Sequence, residues 1–505
     1  MTYESLEQAL KQLNKLGKTY SAYVHALGII ELDAATAAPS GSWAGRGETT
    51  AILSQVMYDL IANPENGELI SYLKESADQL TSLQIRELEV LEKQYLQMNR
   101  IPAEEYVAFN VLKNDAQVNW ERAKNTSDFS IFQPYLEKIV EFQRKFSGYY
   151  NASIPAYDAL LNEYEEGMTM EVLDLFFAKL RSVIVPLVSR IRAKKHAVHP
   201  FVQRSFPIDI QRKFTDLLMQ TMNIDRNYCT IAESEHPFTT NFNNKDVRIT
   251  THYYENNFLS SMFSVIHEGG HALYELGAAD QYNHTFLYGG SSMGIHESQS
   301  RFYENIIGRS KAFAAFVCPK LRELFPEQMA DVDIDTFYRA VNTVEPSLIR
   351  IEADELTYCL HIMVRYELEK QLIDGSLAVK DVPEAWNRLY QEYLGVDVPN
   401  DALGCLQDVH WSFGDMGYFP SYALGSAYGA QMLAAMQQEL GDVYADVENG
   451  DLSRITGWLR KNIHQYACYK KPGQLFEDAC GTFDASFYTD YLTQKYTDLY
   501  QLSRM

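Results

Sequence analysis

Paired cysteines are missing from this 505-residue chain. Its six cysteines (Cys229, Cys318, Cys359, Cys405, Cys468, Cys480) are scattered, with no C-x-x-C pair. That argues against a disulfide framework or a cysteine metal site and fits buried thiols in a reducing cytosol. Positive charge is also scarce: 44 Lys and Arg stand against 67 Asp and Glu, a net charge of −23. Nucleic-acid binding needs clustered Lys and Arg, so that class of partner is excluded. No apolar run approaches the ~20 residues of a membrane span, so no membrane partner is expected. The opening Met1-Thr2-Tyr3-Glu4-Ser5-Leu6-Glu7-Gln8 is polar and acidic, unlike a signal or transit peptide. A cytoplasmic location is the expectation. Linkers, low-complexity runs and internal repeats are absent too, which predicts one large domain over 1–505.

What is present is helical periodicity. Hydrophobic residues at 46% and aromatics at 13% are enough for a large core and exclude disorder. Leu88, Leu91, Tyr95 and Met98 form one stripe, ending before Ile101-Pro102. Pro102 opens the next helix at its first position, with Val107, Val111 and Val118 as its apolar face. Thr169 reads as an N-cap. Long helical patterns also cover about 309–325, 347–373, 424–440 and 484–503. Strand signals are few. The clearest runs from Asp246 to Tyr254, where β-branched and aromatic residues cluster. It is either a cleft-edge strand that pairs with a substrate backbone or part of an ordinary small sheet.

The most informative stretch is His267-Glu268-Gly269-Gly270-His271. Phe258, Met262, Phe263, Ile266, Leu273 and Leu276 repeat around it at three- and four-residue intervals, so it lies mid-helix. Residues i and i+4 share a helix face, and both imidazoles can converge on one Zn²⁺, with Glu268 as the base toward a metal-activated water. Gly269 and Gly270 each cost about 1 kcal/mol inside a helix. Their presence predicts a close approach of other backbone or of substrate at this turn. A catalytic zinc also needs a third protein ligand. Glu297, near the start of a helical pattern that follows Gly289-Gly290-Ser291-Ser292, is the first candidate, with Glu275 and Glu304 as alternatives.

Ordered segments around the pentapeptide resemble those of the carboxypeptidase Taq family of metallocarboxypeptidases. They are His236-Pro237-Phe238, Asp246-x-Arg248-x-Thr250, His267-Glu268-x-x-His271, His296-Glu297-Ser298-Gln299, Ile349-Arg350-x-x-Ala353-Asp354 and Gly404-x-x-Gln407-Asp408-x-His410-Trp411. Asp33-Ala34-Ala35-Thr36-Ala37-Ala38-Pro39 is similar to the family's N-terminal element, with Leu32 where the family usually has Trp. The resemblance implies a mainly α, saddle-like fold with a deep groove, akin to neurolysin and angiotensin-converting enzyme, with a small β-sheet at the cleft. Helices over about 1–150 would cap the groove, and 230–425 would form the metal and catalytic core. It further implies a homodimer, one Zn²⁺ per chain (Co²⁺ substituting), and removal of single residues from peptide C-termini with broad preference. The ligands become His267, His271 and Glu297.

The remaining roles follow from chemistry set on those motifs. Glu268 is the general base. His410, Tyr418 and Tyr422 are candidates for the oxyanion and for substrate contact, with Tyr422 favoured for the former. A substrate carboxylate is best met by a planar guanidinium, with Arg350 first and Arg248 second. The competing role for each is an ion pair, with Asp354 or Asp246 respectively. His236, Asp246 and Thr250 join the substrate-binding candidates through their motifs, and His296 is expected to line the cleft. Asp408 is a candidate for orienting a ligand histidine. Two other functions compete: an endo-oligopeptidase on the same zinc architecture, and a helical interaction protein with an inert metal site.

Overall fold

In a computed structural model, described over residues 3–194 and 199–503, helices make up most of the chain and a three-stranded sheet is the only β-structure among those residues. A large apolar core runs from Ile101 to Leu502. The first hundred residues gather around a separate, smaller core that includes Leu13, Leu69, Leu88 and Leu91, closed by Phe286 from the body of the protein. No helix among the described residues is long and apolar enough to cross a membrane.

Local sequence explains most helix ends. Thr169 accepts a hydrogen bond from Val172 N and caps Met170–Arg192, as expected. The periodic patterns of the C-terminal half become the helices Lys311–Leu324, Glu355–Asp374, Pro420–Leu440 and Ser486–Tyr500. Pro102 sits at the N-cap of Ala103–Thr126, one place earlier than expected.

Two expectations are corrected. Val107, Val111 and Val118 do not form the inner face of Ala103–Thr126; they are 60%, 57% and 66% exposed. That helix buries Phe109, Leu112, Ala116 and Ala123 instead. Apolar residues lie on both of its faces, and the larger Phe109 and Leu112 win the core. The second concerns the segment from Asp246, where the cleft-edge alternative fails and the small-sheet alternative holds. The strand β3 (Asp246–Thr251) lies in the middle of the sheet, parallel to β1 (Cys229–Glu233) and antiparallel to β2 (Thr239–Asn243). With both edges paired, β3 has no backbone groups left for a substrate. The free edge against the cleft belongs to β2, whose Thr239 and Asn241 line it.

Candidate active site

One cleft of about 900 Å³ gathers the pentapeptide residues His267, Glu268 and His271 with Glu297, Tyr418 and Tyr422. The motif helix, Phe258–Leu276, supplies the first three and is buried along nearly its whole length. Glu297 comes from the ligand helix, Met293–Arg301, started by Ser292, whose hydroxyl accepts from Ile295 N.

Glycine explains how these helices approach. A Cβ on Gly270 would lie 2.6 Å from Gln299 O and 2.8 Å from Ser300 Cα, both backbone atoms of the ligand helix. A Cβ on Gly425, from the helix Pro420–Leu440, would lie 2.7 Å from Glu297 Cβ and Cγ. The ligand helix is therefore gripped between two glycine-bearing helices. Of the two approaches that the Gly269-Gly270 pair predicted, backbone is the one found at Gly270. The nearest atoms to a Cβ on Gly269 are instead the flexible tip of Met222 and Ile224 Cδ1.

His267, His271 and Glu297 each offer one ligand atom, all within 4.8 Å of one another. Glu297 Oε2 lies 3.8 Å from His267 Nε2 and 3.6 Å from His271 Nε2. A tetrahedral ion with ligand bonds of about 2.0–2.2 Å sets its donors at similar spacings. The outer nitrogens are already engaged. His267 Nδ1 is 2.8 Å from Glu304 Oε2. His271 Nδ1 is 2.6 Å from His296 Nδ1, and His296 Nε2 is 2.8 Å from Glu275 Oε1. Proton donation along that chain ends on the Glu275 carboxylate and leaves the His271 Nε2 lone pair for a metal. Glu275 and Glu304, the alternatives for third ligand, are thus the carboxylates that fix the two histidines. The donor set fits a divalent cation.

Electrostatics agree with this division. Burial opposes ionisation of Glu297, but Arg301 and the two histidines hold its carboxyl well below the usual range. Burial pushes His271 down to about 3. His267 is raised: burial opposes this, yet the bond to Glu304 and the charge of Glu297 prevail. Glu268 is buried, which raises its pKa, and its Oε2 accepts a 2.6 Å hydrogen bond from Thr239 Oγ1.

The facing wall is layered. Tyr418 and Tyr422 line the cleft, with ring centroids 5.1 Å apart. His410 stands behind, its Nε2 3.2 Å from the Tyr422 hydroxyl, and burial lowers it to about 4. Arg350 is 5% exposed, with its guanidinium 4.9 Å from the Tyr422 ring centre. It donates to Asp408 Oδ1 through Nε at 3.0 Å and Nη2 at 2.8 Å, and to Tyr358 Oη through Nη1 at 2.9 Å. Arg365 donates to the other oxygen, Asp408 Oδ2. Asp408 therefore does not orient a ligand histidine; it is shared by two arginines. Asp354, the expected partner of Arg350, instead caps Glu355–Asp374 by accepting from Leu356 N and Thr357 N.

The β-strand candidates lie apart from the cleft lining. Arg248 pairs with Asp246 at 2.6 Å and lies over the Phe242 ring. Thr250 is fully buried, and its hydroxyl accepts from Phe238 N and Ser234 Oγ. His236 is exposed, whereas its neighbours Pro237 and Phe238 line the cleft. Sequence reading missed Thr239, Arg301 and Arg365. Only the i+4 spacing of Arg301 from Glu297 was a signal for any of them.

The family model described as Carboxypeptidase Taq (M32) metallopeptidase matches residues 12–496. The chain is 41% identical over 494 residues to carboxypeptidase 1 of Bacillus subtilis, covering 97% of this chain and 99% of that protein. It is 35% identical to thermostable carboxypeptidase 1 of Thermus thermophilus, covering 99% and 100%. The crystal structure of an M32 carboxypeptidase from Deinococcus radiodurans superposes with a TM-score of 0.95 at 36% identity, covering 98% of this chain and 99% of that one. That agreement, over a mainly helical chain with one small sheet, carries the expected saddle-like fold. With its ordered motifs, its fold and its His–His–Glu cluster all in accord, the chain belongs to the carboxypeptidase Taq (M32) family of metallopeptidases.

Proposed function

We propose that this metallocarboxypeptidase removes residues one at a time from the free C-termini of peptides, with broad specificity and one Zn²⁺ per chain. The observation that carries the reading is the convergence of His267, His271 and Glu297 on one point beside the buried carboxylate of Glu268. When bound, the metal polarises the scissile carbonyl and acidifies a water.

The protein's own groups do the rest. Glu268, held by Thr239, takes the proton from the attacking water and passes it to the leaving amine. Tyr422 and Tyr418, which line the cleft, donate to the developing oxyanion and the substrate, with His410 bonded to the Tyr422 hydroxyl. The charge of Arg350, lying behind the Tyr422 ring, attracts the substrate carboxylate to this wall of the cleft. Two arginines share the single carboxylate of Asp408, which leaves one positive charge surplus behind the Tyr422 ring. The peptide backbone runs along the free edge of β2.

The test compares a peptide with its C-amidated twin. Arg350→Ala should raise KM for the free-carboxylate peptide and leave cleavage of the amidated one unchanged. Equal cleavage of both peptides by the unaltered enzyme would instead make it an endo-oligopeptidase. We further propose that the chain works as a single peptidase domain in the cytoplasm. Exposed Trp43, Ile52, Val107, Val111 and Val118, on an otherwise strongly acidic protein, support a homodimer.

A further inference from the structure

Arg301 stands one helical turn after Glu297 on the ligand helix, and its side chain is only 14% exposed. Its Nε donates to Glu297 Oε1 at 2.7 Å, which leaves Oε2 as the oxygen turned to the two histidines. Its Nη1 lies 3.6 Å from Glu304 Oε2, the same oxygen that holds His267 Nδ1. The turn Phe302–Ile307 is wound as a π-helix, and it brings Glu304 to the same guanidinium. The face of the guanidinium is covered by the Tyr358 ring at 4.1 Å. One fixed cation thus touches the ligand carboxylate and the carboxylate behind a ligand histidine.

Two consequences follow from the chemistry. A carboxylate with one oxygen bonded to a guanidinium offers the metal a single oxygen, so an open position is kept for water and substrate. It also donates less charge, so the ion stays a stronger Lewis acid, while the nearby positive charge weakens the hold on that ion. We infer that Arg301 is a positioning residue that keeps Glu297 a one-oxygen ligand and sharpens the metal's acidity at the expense of metal affinity. This rests on the metal site proposed above.

The signs of the effects separate this role from an ordinary supporting one. An ordinary outer partner, when removed, costs metal affinity. Arg301→Met should instead release Co²⁺ or Zn²⁺ to a chelator no faster than the unaltered enzyme, while kcat falls about 10- to 100-fold. Its Co²⁺ form should absorb more weakly in the visible range, as Glu297 closes both oxygens on the ion and coordination rises. Arg301→Lys, which restores the charge, should recover the spectrum and part of the kcat. Glu304 keeps Arg309 at 3.2 Å in either variant. If Arg301→Met does not fold, as read from its melting curve, Arg301→Leu, which likewise has neither charge nor donor, carries the same expectations. Faster metal loss, or an unchanged Co²⁺ spectrum, in the variant that folds overturns the inference. Failure of the unaltered protein to bind Co²⁺ at all would instead overturn the metal site itself.

Discussion

Adding one methyl group at Gly270 should damage catalysis without touching any chemical group. The new Cβ would meet Gln299 O at 2.6 Å and Ser300 Cα at 2.8 Å. Ordinary contact lies near about 3.5 Å, so the ligand helix must retreat by roughly 0.9 Å. Neither contact is a rotatable side chain, and Gly425 blocks the retreat from the far side, with Glu297 already against it. Intrinsic helix propensity favours the change by about 1 kcal/mol. Overpacking opposes it by about 1–3 kcal/mol. The stability change is therefore between none and about 2 kcal/mol of loss, the difference of those two ranges. Activity suffers more, because Glu297 sits two residues before Gln299, and a shift of about 1 Å at a site costs on the order of 10²-fold. The assay pairs kcat/KM on a dipeptide with a free C-terminus with metal content and a melting curve. Gly269→Ala is the control: the nearest atoms to its Cβ are Met222 Cε and Sδ and Ile224 Cδ1, side-chain tips that can give way, and it should keep most of its activity. A Gly270→Ala enzyme with undiminished kcat/KM, or one that melts higher as propensity alone would dictate, refutes the reasoning.

Further outcomes are expected at the same site. Glu268→Gln should keep its metal, since Glu268 is not in the donor set, and lose about 10²–10⁴-fold in kcat; comparable turnover removes Glu268 as the base. Metal affinity should rise with pH until His267 deprotonates, then level off. His271, at about 3, is neutral above pH 5, and Glu297 is already ionised there. His267, raised above its ordinary value, is the group that still holds a proton near neutrality. Calorimetry in buffers of different ionisation enthalpy should therefore count about one proton released per ion below that pKa, and a count near two would break the assignment.

Local patterns carried the parts of this fold that depend on local physics. The pentapeptide helix was legible because its apolar residues recur at helical spacing on both sides of the histidines. Glu297 could be named because it falls just after a glycine-serine loop that starts a helix. The groups that support the metal ligands were not legible in the same way. Glu275, Glu304 and His296 act on histidines 21 to 37 residues away, and only the packing of the ligand helix on the motif helix decides which carboxylate binds and which supports. The strand β2 was missed because Thr239, Thr240, Asn241 and Asn243 give it no apolar alternation. It exists because β3 pairs with one of its edges and the motif helix packs against both strands. Ala103–Thr126 presented apolar residues on two faces, so periodicity could not choose between them. Arg350 was found by its motif, but its partner was not, because Asp408 lies 58 residues downstream.

The most direct test of the account is mass spectrometry of one peptide digested with and without a metal chelator. The His267–His271–Glu297 centre and the Glu268 base predict a ladder of products. Each product should be shorter than the last by one C-terminal residue, and the ladder should vanish with chelator and return on adding back Zn²⁺. Internal cleavage, or a ladder that persists after the metal has been stripped, would contradict it.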